Sequence, residues 1–580
     1  MVNLSLGIDF GTTTTAIAFR EQGGLPQMLP IGENGRLYMP SAVAFLQAPA
    51  ETLIGEAALR AGRTADVVTS IKRCLHCDGT RCHELRPSTS ATSRRWQWQA
   101  ANMRRCQGGQ IRADGRLWKP EEIVFLIVQE ALHRASRILQ GRYGDRSLDH
   151  LTLFPANLGC SVAFDLGQRQ LLARLAQQLG FASLSLKNVV EEPVAAGVGF
   201  ANLEGLKPGR TLVYDFGGGT FDTAVIDVSH DGDRVAVLAS GAVPFLGGDD
   251  IDQMIIDYFL EELGRQHELT GTDMAILIEP ALDERELRSQ AESAKIALSE
   301  LLDVDVTLNL SVKKVPYTLQ LTRERLDQML ATLRRFDGRP LFERSQDCVE
   351  EVLRKTRVYK EGRDNGGKID KQQLLSVEFA ALSRDIDYVL LVGGVTKMPF
   401  VRRRLEEAFG QDRIFEGFIL DDPITAVARG VAYDKEYENL ILAAPPYSVI
   451  VEHSDGDGEA TCQEAYQAYS LLWPSAISAS RDDFKYFSDL LEIRGRFAVW
   501  LLRHDTGDRV DIYNGVSSGY VRVQIDPWAY IYVLEGHSPG DLVQKHRVQA
   551  PWRHELQVIP DLQNEYKGMI DNIRSIYTEK

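Results

Sequence analysis

Ile8-Asp9-Phe10-Gly11-Thr12-Thr13-Thr14-Thr15-Ala16-Ile17 and Tyr214-Asp215-Phe216-Gly217-Gly218-Gly219-Thr220-Phe221-Asp222-Thr223-Ala224-Val225-Ile226 are two versions of one unit. In each, an apolar run of strand type (Leu4 to Ile8; Thr211 to Tyr214) ends on an aspartate. Glycines and hydroxyl residues follow, and then a second apolar run. The pattern predicts a β-hairpin whose turn has no bulky side chains, so backbone N–H groups can approach an anion. The turn residues Gly11, Thr12, Thr13 and Thr14, and Gly217, Gly218, Gly219 and Thr220, are therefore candidate phosphate ligands. Asp9 and Asp215, at the strand ends, can hold a hydrated Mg²⁺ on polyphosphate oxygens. A unit that occurs twice predicts two related lobes facing one nucleotide.

The rest of the chain sets the frame for that pair. At 580 residues it exceeds what one core supports, so two or three domains are expected. Its 44% hydrophobic and 25% charged residues are those of an ordinary soluble protein. A formal charge of −16 argues against nucleic acid or anionic lipid as a bulk electrostatic partner. No apolar stretch approaches the roughly 18 residues of a membrane helix, and the N-terminus enters a strand without a basic leader. Seven unevenly spaced cysteines do not resemble a secreted disulfide framework, and a cytoplasmic location is expected.

Further candidate residues follow from context. Pro40 to Phe45 reads as a strand and Glu56 opens a short helix. Lys72, in Ser70-Ile71-Lys72-Arg73, is on its surroundings alone a snorkelling surface group, but phosphoryl transfer needs a cation beside the γ-phosphate. Leu287, Ala291, Ala294, Leu298 and Leu301 recur at three- and four-residue intervals and predict a helix over 285–301. Glu292, Lys295 and Ser299 form a polar stripe on its adjacent face, open to reading as a solvated face or a ligand face. Gly393-Gly394 ends a strand over 388–392 and should bring bare backbone against a nucleotide.

Gly7 to Thr13, Ile71-Lys72-Arg73, Glu191-Glu192-Pro193-Val194-Ala195-Ala196, Leu212 to Asp222, Leu246-Gly247-Gly248-Asp249, Glu292 to Ser299 and Leu391-Val392-Gly393-Gly394 occur in the order seen in the seventy-kilodalton heat-shock chaperones. The chain resembles a divergent bacterial member of that family over residues 1 to about 435. The resemblance implies an α/β fold: an actin-like ATPase of two RNase-H-like lobes with ATP in the cleft between them. It also implies roles. Asp9 and Asp215 position Mg²⁺ through water, Lys72 stabilises the transferring phosphoryl group and Thr220 lies near the attacking water. Glu192 and Asp222 complete the polar pocket, and Glu292, Lys295 and Ser299 hold ribose and adenine. Without the resemblance, Glu192 before Pro193 reads equally well as a helix cap.

Departures from the family pattern mark where function can differ. Lys397 in Val395-Thr396-Lys397 keeps a charge but loses the planar stacking of an arginine over adenine. Ile296 is a tolerated variant, and Ile424 replaces an aspartate usual after the proline matched by Pro423. Pro155-Ala156 matches a strand end whose proline, with a downstream arginine, relays nucleotide state to a substrate domain. Asn157-Leu158-Gly159 then replaces an aromatic pair, and about six extra residues precede Gln168-Arg169.

Residues 74–118 read as an insertion in the lobe, with Cys74, Cys77, Cys82 and Cys106 among arginines and Trp96, Trp98 and Trp118. Cys74 and Cys77 can form one knuckle of a tetrahedral Zn²⁺ site, completed by Cys82 or His83 with Cys106; reduced, unligated cysteines are the alternative. The segment has little apolar material for its own core, which a structural metal would offset. Its Arg/Trp mixture can also stack on single-stranded nucleic acid, against the sign of the whole-chain charge.

Residues 436–446 carry the short apolar run Asn439 to Ala444, which the resemblance makes an interdomain linker. Residues 447–580 alternate apolar and polar positions around Val449, Val499, Val521 and Val533, predicting a β-rich substrate- or partner-binding domain. A short amphipathic helix with Leu562, Tyr566, Met569, Ile573 and Tyr577 on one face closes the chain, without room for the family's full helical lid. Trp473, Trp500, Trp528 and Trp552 are expected in that domain's core.

The function expected is that of a slow ATPase, a chaperone-like protein coupling ATP/ADP state to a polypeptide client. The resemblance brings a J-domain co-chaperone and a nucleotide exchange factor as partner classes. The alternative is a nucleotide-switched scaffold dedicated to one bacterial partner. A sugar kinase of the same superfamily would use an aspartate base and carry no appended β-domain.

Overall fold

The computed structural model describes residues 4–47, 50–62, 65–75, 105–143, 151, 154–181, 184, 188–202, 209–228, 235–267, 280–311, 316–332, 340–364, 376–416, 422–433, 447–454, 460–468, 486–503, 509–525 and 530–549. They divide into two compact units, Met1–Asp434 and Lys435–Lys580.

In the first unit the leading apolar run is β1 (Leu4–Phe10), paired antiparallel with β2 (Thr14–Glu21). Short strands β3 (Gln27–Met28) and β4 (Tyr38–Pro40) both pair with β2, while β5 (Ala156–Cys160) runs parallel to β1 and β6 (Val189–Glu191) parallel to β5. The second half repeats the scheme. An antiparallel hairpin, β7 (Gly209–Phe216) and β8 (Phe221–Val228), is extended by β9 (Val235–Val243) on one side. On the other side lie the parallel strands β10 (Tyr388–Val392) and β11 (Ile414–Glu416). The orders β6-β5-β1-β2-β3 and β9-β8-β7-β10-β11 place each glycine turn at the tip of a central hairpin. Two RNase-H-like α/β lobes are thus present.

Helices cover both sheets. Ile123, Val124, Ile127 and Ala131 of α1 (Pro120–Tyr143) and Leu172 and Leu175 of α2 (Leu166–Gln178) share one core with Leu6, Ile8 and Phe19. The second core joins Leu212, Phe216 and Val225 to residues of α4 (Gly248–Gln266), α5 (Pro280–Ala297) and α6 (Leu341–Asp364). Between the two sheets, α3 (Glu192–Ala201) crosses α7 (Ala426–Val431) almost backbone to backbone. A Cβ on Gly430 would lie 1.9 Å from the carbonyl oxygen of Ala195, and one on Gly7 of β1 2.2 Å from that of Ala428. Ser5 Oγ donates to the Ala432 carbonyl at 2.7 Å and Asn157 Nδ2 to that of Val431 at 3.0 Å. The segment leaving the second lobe is therefore clamped on the first lobe's sheet.

Two expectations are corrected in this unit. The strand expected to end at Pro155-Ala156 begins there: proline cannot donate in a ladder, so it opens β5, which runs on to Cys160. The turn Ser161–Asp165 then leads into α2, which carries Gln168 and Arg169 in its first turn. Residues 105–118 pack on the lobe. The strands Cys106–Gln107, Gln110–Ala113 and Arg116–Trp118 bury Ile111 and Ala113 in the first core, and Trp118 packs on Phe45 at 4.7 Å between ring centroids. Trp118 is thereby committed to packing. Finally, α5 stops at Ala297; Leu298 is buried, while Leu301 lies beyond the helix and is 53% exposed.

The second unit is a single antiparallel sheet of β12 (Tyr447–Ser454), β13 (Ala460–Tyr466), β14 (Tyr486–Phe487), β15 (Leu491–Arg503), β16 (Arg509–Ile525), β17 (Tyr530–Gly536) and β18 (Val543–Gln549). Its order is β13-β12-β15-β16-β17-β18, with β14 on β16. Val449, Val451, Val499, Leu501, Val521 and Val533 form the buried face, as their alternation predicts. Trp500 falls on the other face by the same period. Its Nε1 donates to Glu452 at 3.0 Å, and Arg509 lies 4.2 Å over the ring, so Trp500 is not a core residue. The linker, the terminal helix, Trp473, Trp528 and Trp552 lie outside the described residues. Among the described residues no helix is long and apolar enough to cross a membrane.

Candidate active site

The two glycine turns meet tip to tip. A Cβ on Gly218 would lie 2.4 Å from Thr13 Cγ2, and one on Gly219 2.2 Å from Thr12 Oγ1. Each turn is closed by the same bond, Gly11 N–H to Thr14 O at 2.9 Å and Gly217 N–H to Thr220 O at 3.2 Å. Their carbonyls are held from behind. Ser41 donates its hydroxyl to Gly11 O at 2.9 Å and its N–H to Thr13 O at 2.8 Å. At the start of α4, Gly248 N–H donates to Gly217 O at 3.1 Å and Asp249 N–H to Gly218 O at 2.9 Å. In a trans peptide the following N–H points opposite to the bound carbonyl, so those of Thr12, Gly218 and Gly219 turn away from these supports. Among the described residues none of the three meets a protein acceptor. Such an array has the form of an anion nest. The chain reaches α4 through Phe245 at φ 59 and then Gly247, whose Cβ would sit 2.4 Å from the backbone of Gly218.

Beside the tips lies a cluster of charge. Lys72 sits in the 3-10 turn Ile71–Cys74, entered through Ser70 at φ 55, and is only 3% exposed. Its Nζ donates to Glu192 Oε1. Glu192 is the first residue of α3, following the N-cap Glu191, and its carboxylate pairs with Lys72. Gly393, at φ 83, leaves room for Asp215, whose Oδ1 would be 2.9 Å from a Cβ there. Asp222 accepts from Ser161 Oγ and Val162 N–H, both at 2.8 Å, tying the second hairpin to the end of β5.

Burial opposes the charge on Lys72, but Glu192, Asp9 and Asp222 together hold its pKa above that of ordinary lysine. Burial and then Glu192 push Asp9 up to about 7, against the pull of Lys72. Burial and Glu192 likewise push Asp222 to about 7, against bonds from Ser161, Thr220 and Val162. Asp215 is raised well above the carboxylate range by burial, then by Glu192, Asp222 and Asp9. One lysine thus faces four carboxyl groups, and the site is short of positive charge.

This excess carries a prediction. A carboxyl raised from 3.8 to about 7 on folding stabilises the fold fully below pH about 4 and loses that contribution as pH rises through about 7. Asp252 and Asp257, also raised to about 7, act in the same direction. The ligand-free first unit should therefore melt at lower temperature at pH about 8 than at pH about 5.5, by scanning calorimetry. A melting temperature that is flat or rising over that window would contradict the charge assignment.

The adenosine-side candidates are only partly assembled. Lys295 spans from α5 to the start of α4, with Nζ 2.7 Å from Asp252 Oδ1 and 3.3 Å from the Gly248 carbonyl. Its ammonium is engaged within the protein. Glu292 and Ile296 are exposed, and Ser299 lies past the helix end with its hydroxyl on Lys295 O at 3.4 Å. Gly394 opens a 3-10 turn over Gly394–Lys397 facing Ile424, and Lys397 pairs with Asp422 at 2.8 Å. Asp422, before the proline, thus supplies a carboxylate although Ile424 follows it. Cys74 and Cys106 pack against the first core, and Cys77 and Cys82 lie outside the described residues. Among the described residues no three His, Cys, Asp or Glu side chains converge to hold a metal directly. Ser41, Ser161, Arg73, Asp250 and Asp252 are site residues that motif reading passed over. Arg73 and Ser41 stood inside quoted stretches, but nothing in a linear pattern reports which carbonyl a side chain will bind.

The family described as Hsp70 protein matches residues 5–365. Chaperone protein DnaK of Thermotoga petrophila is 28% identical over 415 residues, covering 70% of this chain and 55% of the relative. That of Thermotoga neapolitana is 29% identical over the same span, and that of Thermosipho melanesiensis 28% over 435 residues, covering 74% and 58%. The chain thus spans a little over half the length of the curated relatives it matches.

Proposed function

The chain belongs to the Hsp70 family, and on that premise we propose that it is a slow ATPase whose nucleotide state sets the affinity of its β-rich unit for a polypeptide client. The observation that carries this reading is the pair of glycine tips in contact, with unpartnered N–H groups beside four carboxyl groups and one buried lysine. Phosphoanhydride hydrolysis needs little covalent help; it needs neutralised charge and a positioned water.

Asp9 and Asp215 would hold Mg²⁺ through water, and the donor set fits. Carboxyls raised by burial and by neighbouring carboxylates, Asp9 to about 7 and Asp215 well above the usual range, are those a divalent cation would discharge. When bound, Mg²⁺ neutralises phosphate oxygens. The Thr12, Gly218 and Gly219 N–H groups bind phosphate oxygens, Lys72 offsets the charge that develops on the transferring group, and Thr220 and Asp222 orient water. Glu292, Lys295 and Ser299 form the adenosine side, with Lys295 leaving Asp252 for the ribose. Zinc at Cys74, Cys77, Cys82 and Cys106 remains a separate proposal, tested by elemental analysis of the purified chain.

The dedicated-scaffold alternative is not favoured by the family match. A kinase is disfavoured by the buried pairing of Lys72 with Glu192. Suppression of aggregation of a denatured reporter enzyme, relieved by MgATP and unaffected by MgADP, is the expected result. Suppression indifferent to nucleotide would overturn the coupling.

A further inference from the structure

We infer that Arg73 is a positioning residue that completes the Gly217–Thr220 nest from the opposite lobe, so that nucleotide is retained only while the lobes are closed on each other. The inference rests on the nucleotide reading above. Arg73 adjoins Lys72 and could pass for a second phosphate ligand, but its guanidinium is spent on protein. Nε and NH2 both donate to the carbonyl of Gly219, at 3.0 and 2.7 Å. NH2 also donates to Asp250 Oδ2 at 2.9 Å, and NH1 lies 3.7 Å from Asp249 Oδ2. The side chain is 9% exposed.

The consequence lies in the peptide planes. Three successive carbonyls of the second tip are held: Gly217 and Gly218 by N–H groups of α4 and Gly219 by Arg73. The first two supports belong to the tip's own lobe and persist however the lobes move. The third crosses from the first lobe. Since an N–H points opposite to the carbonyl before it, the aim of the Thr220 N–H depends on Arg73. Asp250, gripped by the same guanidinium, also accepts from Gly247 N–H at 2.8 Å, so the start of α4 is held by the same contact. Opening the lobes breaks this contact, frees the Gly219 carbonyl and loosens one donor of the nest. A planar fork can meet a carbonyl and a carboxylate together; a lysine ammonium at that reach cannot reproduce the pair.

The test is stopped-flow dissociation of fluorescent ADP, with Mg²⁺, from the full chain. Arg73→Lys is expected to release nucleotide about tenfold faster, with single-turnover hydrolysis of bound ATP changed less than about threefold. Arg105→Lys, which alters an ion pair with Asp66 inside the first lobe and touches neither tip, should change dissociation less than about threefold. Release from Arg73→Lys within about twofold of the parent would overturn the inference. In the unsubstituted, ligand-free chain, hydrogen exchange provides a second reading that needs neither variant nor nucleotide. Segments 70–75 and 217–222 should become exposed in one opening event, with the same opening free energy. Independent openings would overturn the clamp. Absence of nucleotide binding by the parent would instead sink the nucleotide reading and leave the clamp to the exchange result.

Discussion

Lys72→Ala is expected to lower the ATP turnover number by about 100- to 1,000-fold, the range set by removing one preorganised charge from a developing anion. Nucleotide affinity should stay within about tenfold, since an interaction concentrated in the transition state contributes little to ground-state binding. The geometry explains why binding survives. Lys72 is paired with Glu192 inside a cluster of four carboxyl groups, two of them raised to about 7. The nest donors, Thr12, Gly218 and Gly219, are supported by Ser41 and the start of α4 and do not depend on Lys72. Single-turnover kinetics with a parallel equilibrium titration would separate the two effects. Parental turnover in the variant would refute the role of Lys72.

Gly247→Ala is expected to weaken MgADP binding by about 3 kcal/mol, or about 100-fold, although residue 247 belongs to neither tip. A methyl group there would lie 2.4 Å from the backbone of Gly218 and 2.5 Å from the Gly219 nitrogen. Backbone cannot step aside as a side chain can, so α4 must withdraw. Withdrawal breaks the bonds from Gly248 and Asp249 to the tip carbonyls and leaves the nest N–H groups unaligned. Gly141→Ala, in α1 where nothing lies within 4 Å, is the control and should bind as the parent does. A Gly247→Ala chain that folds and binds MgADP within about twofold of the parent would show that the α4 contact does not shape the nest.

Much of this site was legible because its parts are local. The hairpins are short, their turn residues adjacent and their aspartates one position inside the strand end, so a linear pattern carries the geometry. The helix over 280–297 was legible from its period, but its end was not: Leu301 continues the spacing and is exposed, because the chain turns after Ala297. The end of β5 was misplaced because Asn157-Leu158-Gly159-Cys160 has no strand signature of its own. It is held extended by parallel pairing with β1 along one edge and β6 along the other, and it is buried throughout. Trp118 and Trp500 exchanged expectations for a related reason. Burial of an aromatic is decided by which face its strand turns inward, and that depends on partners far away in the chain. The supports of the nest were illegible throughout, since Ser41, Gly248 and Arg73 act on carbonyls that carry no sequence identity.

Isothermal titration of the purified chain with MgADP addresses the central claim most directly, because the twin tips can hold one nucleotide between them and no more. A single site with a stoichiometry of about one, lost when Mg²⁺ is chelated, is the predicted result. No heat at any nucleotide concentration up to about the millimolar range, with the chain folded, would contradict it.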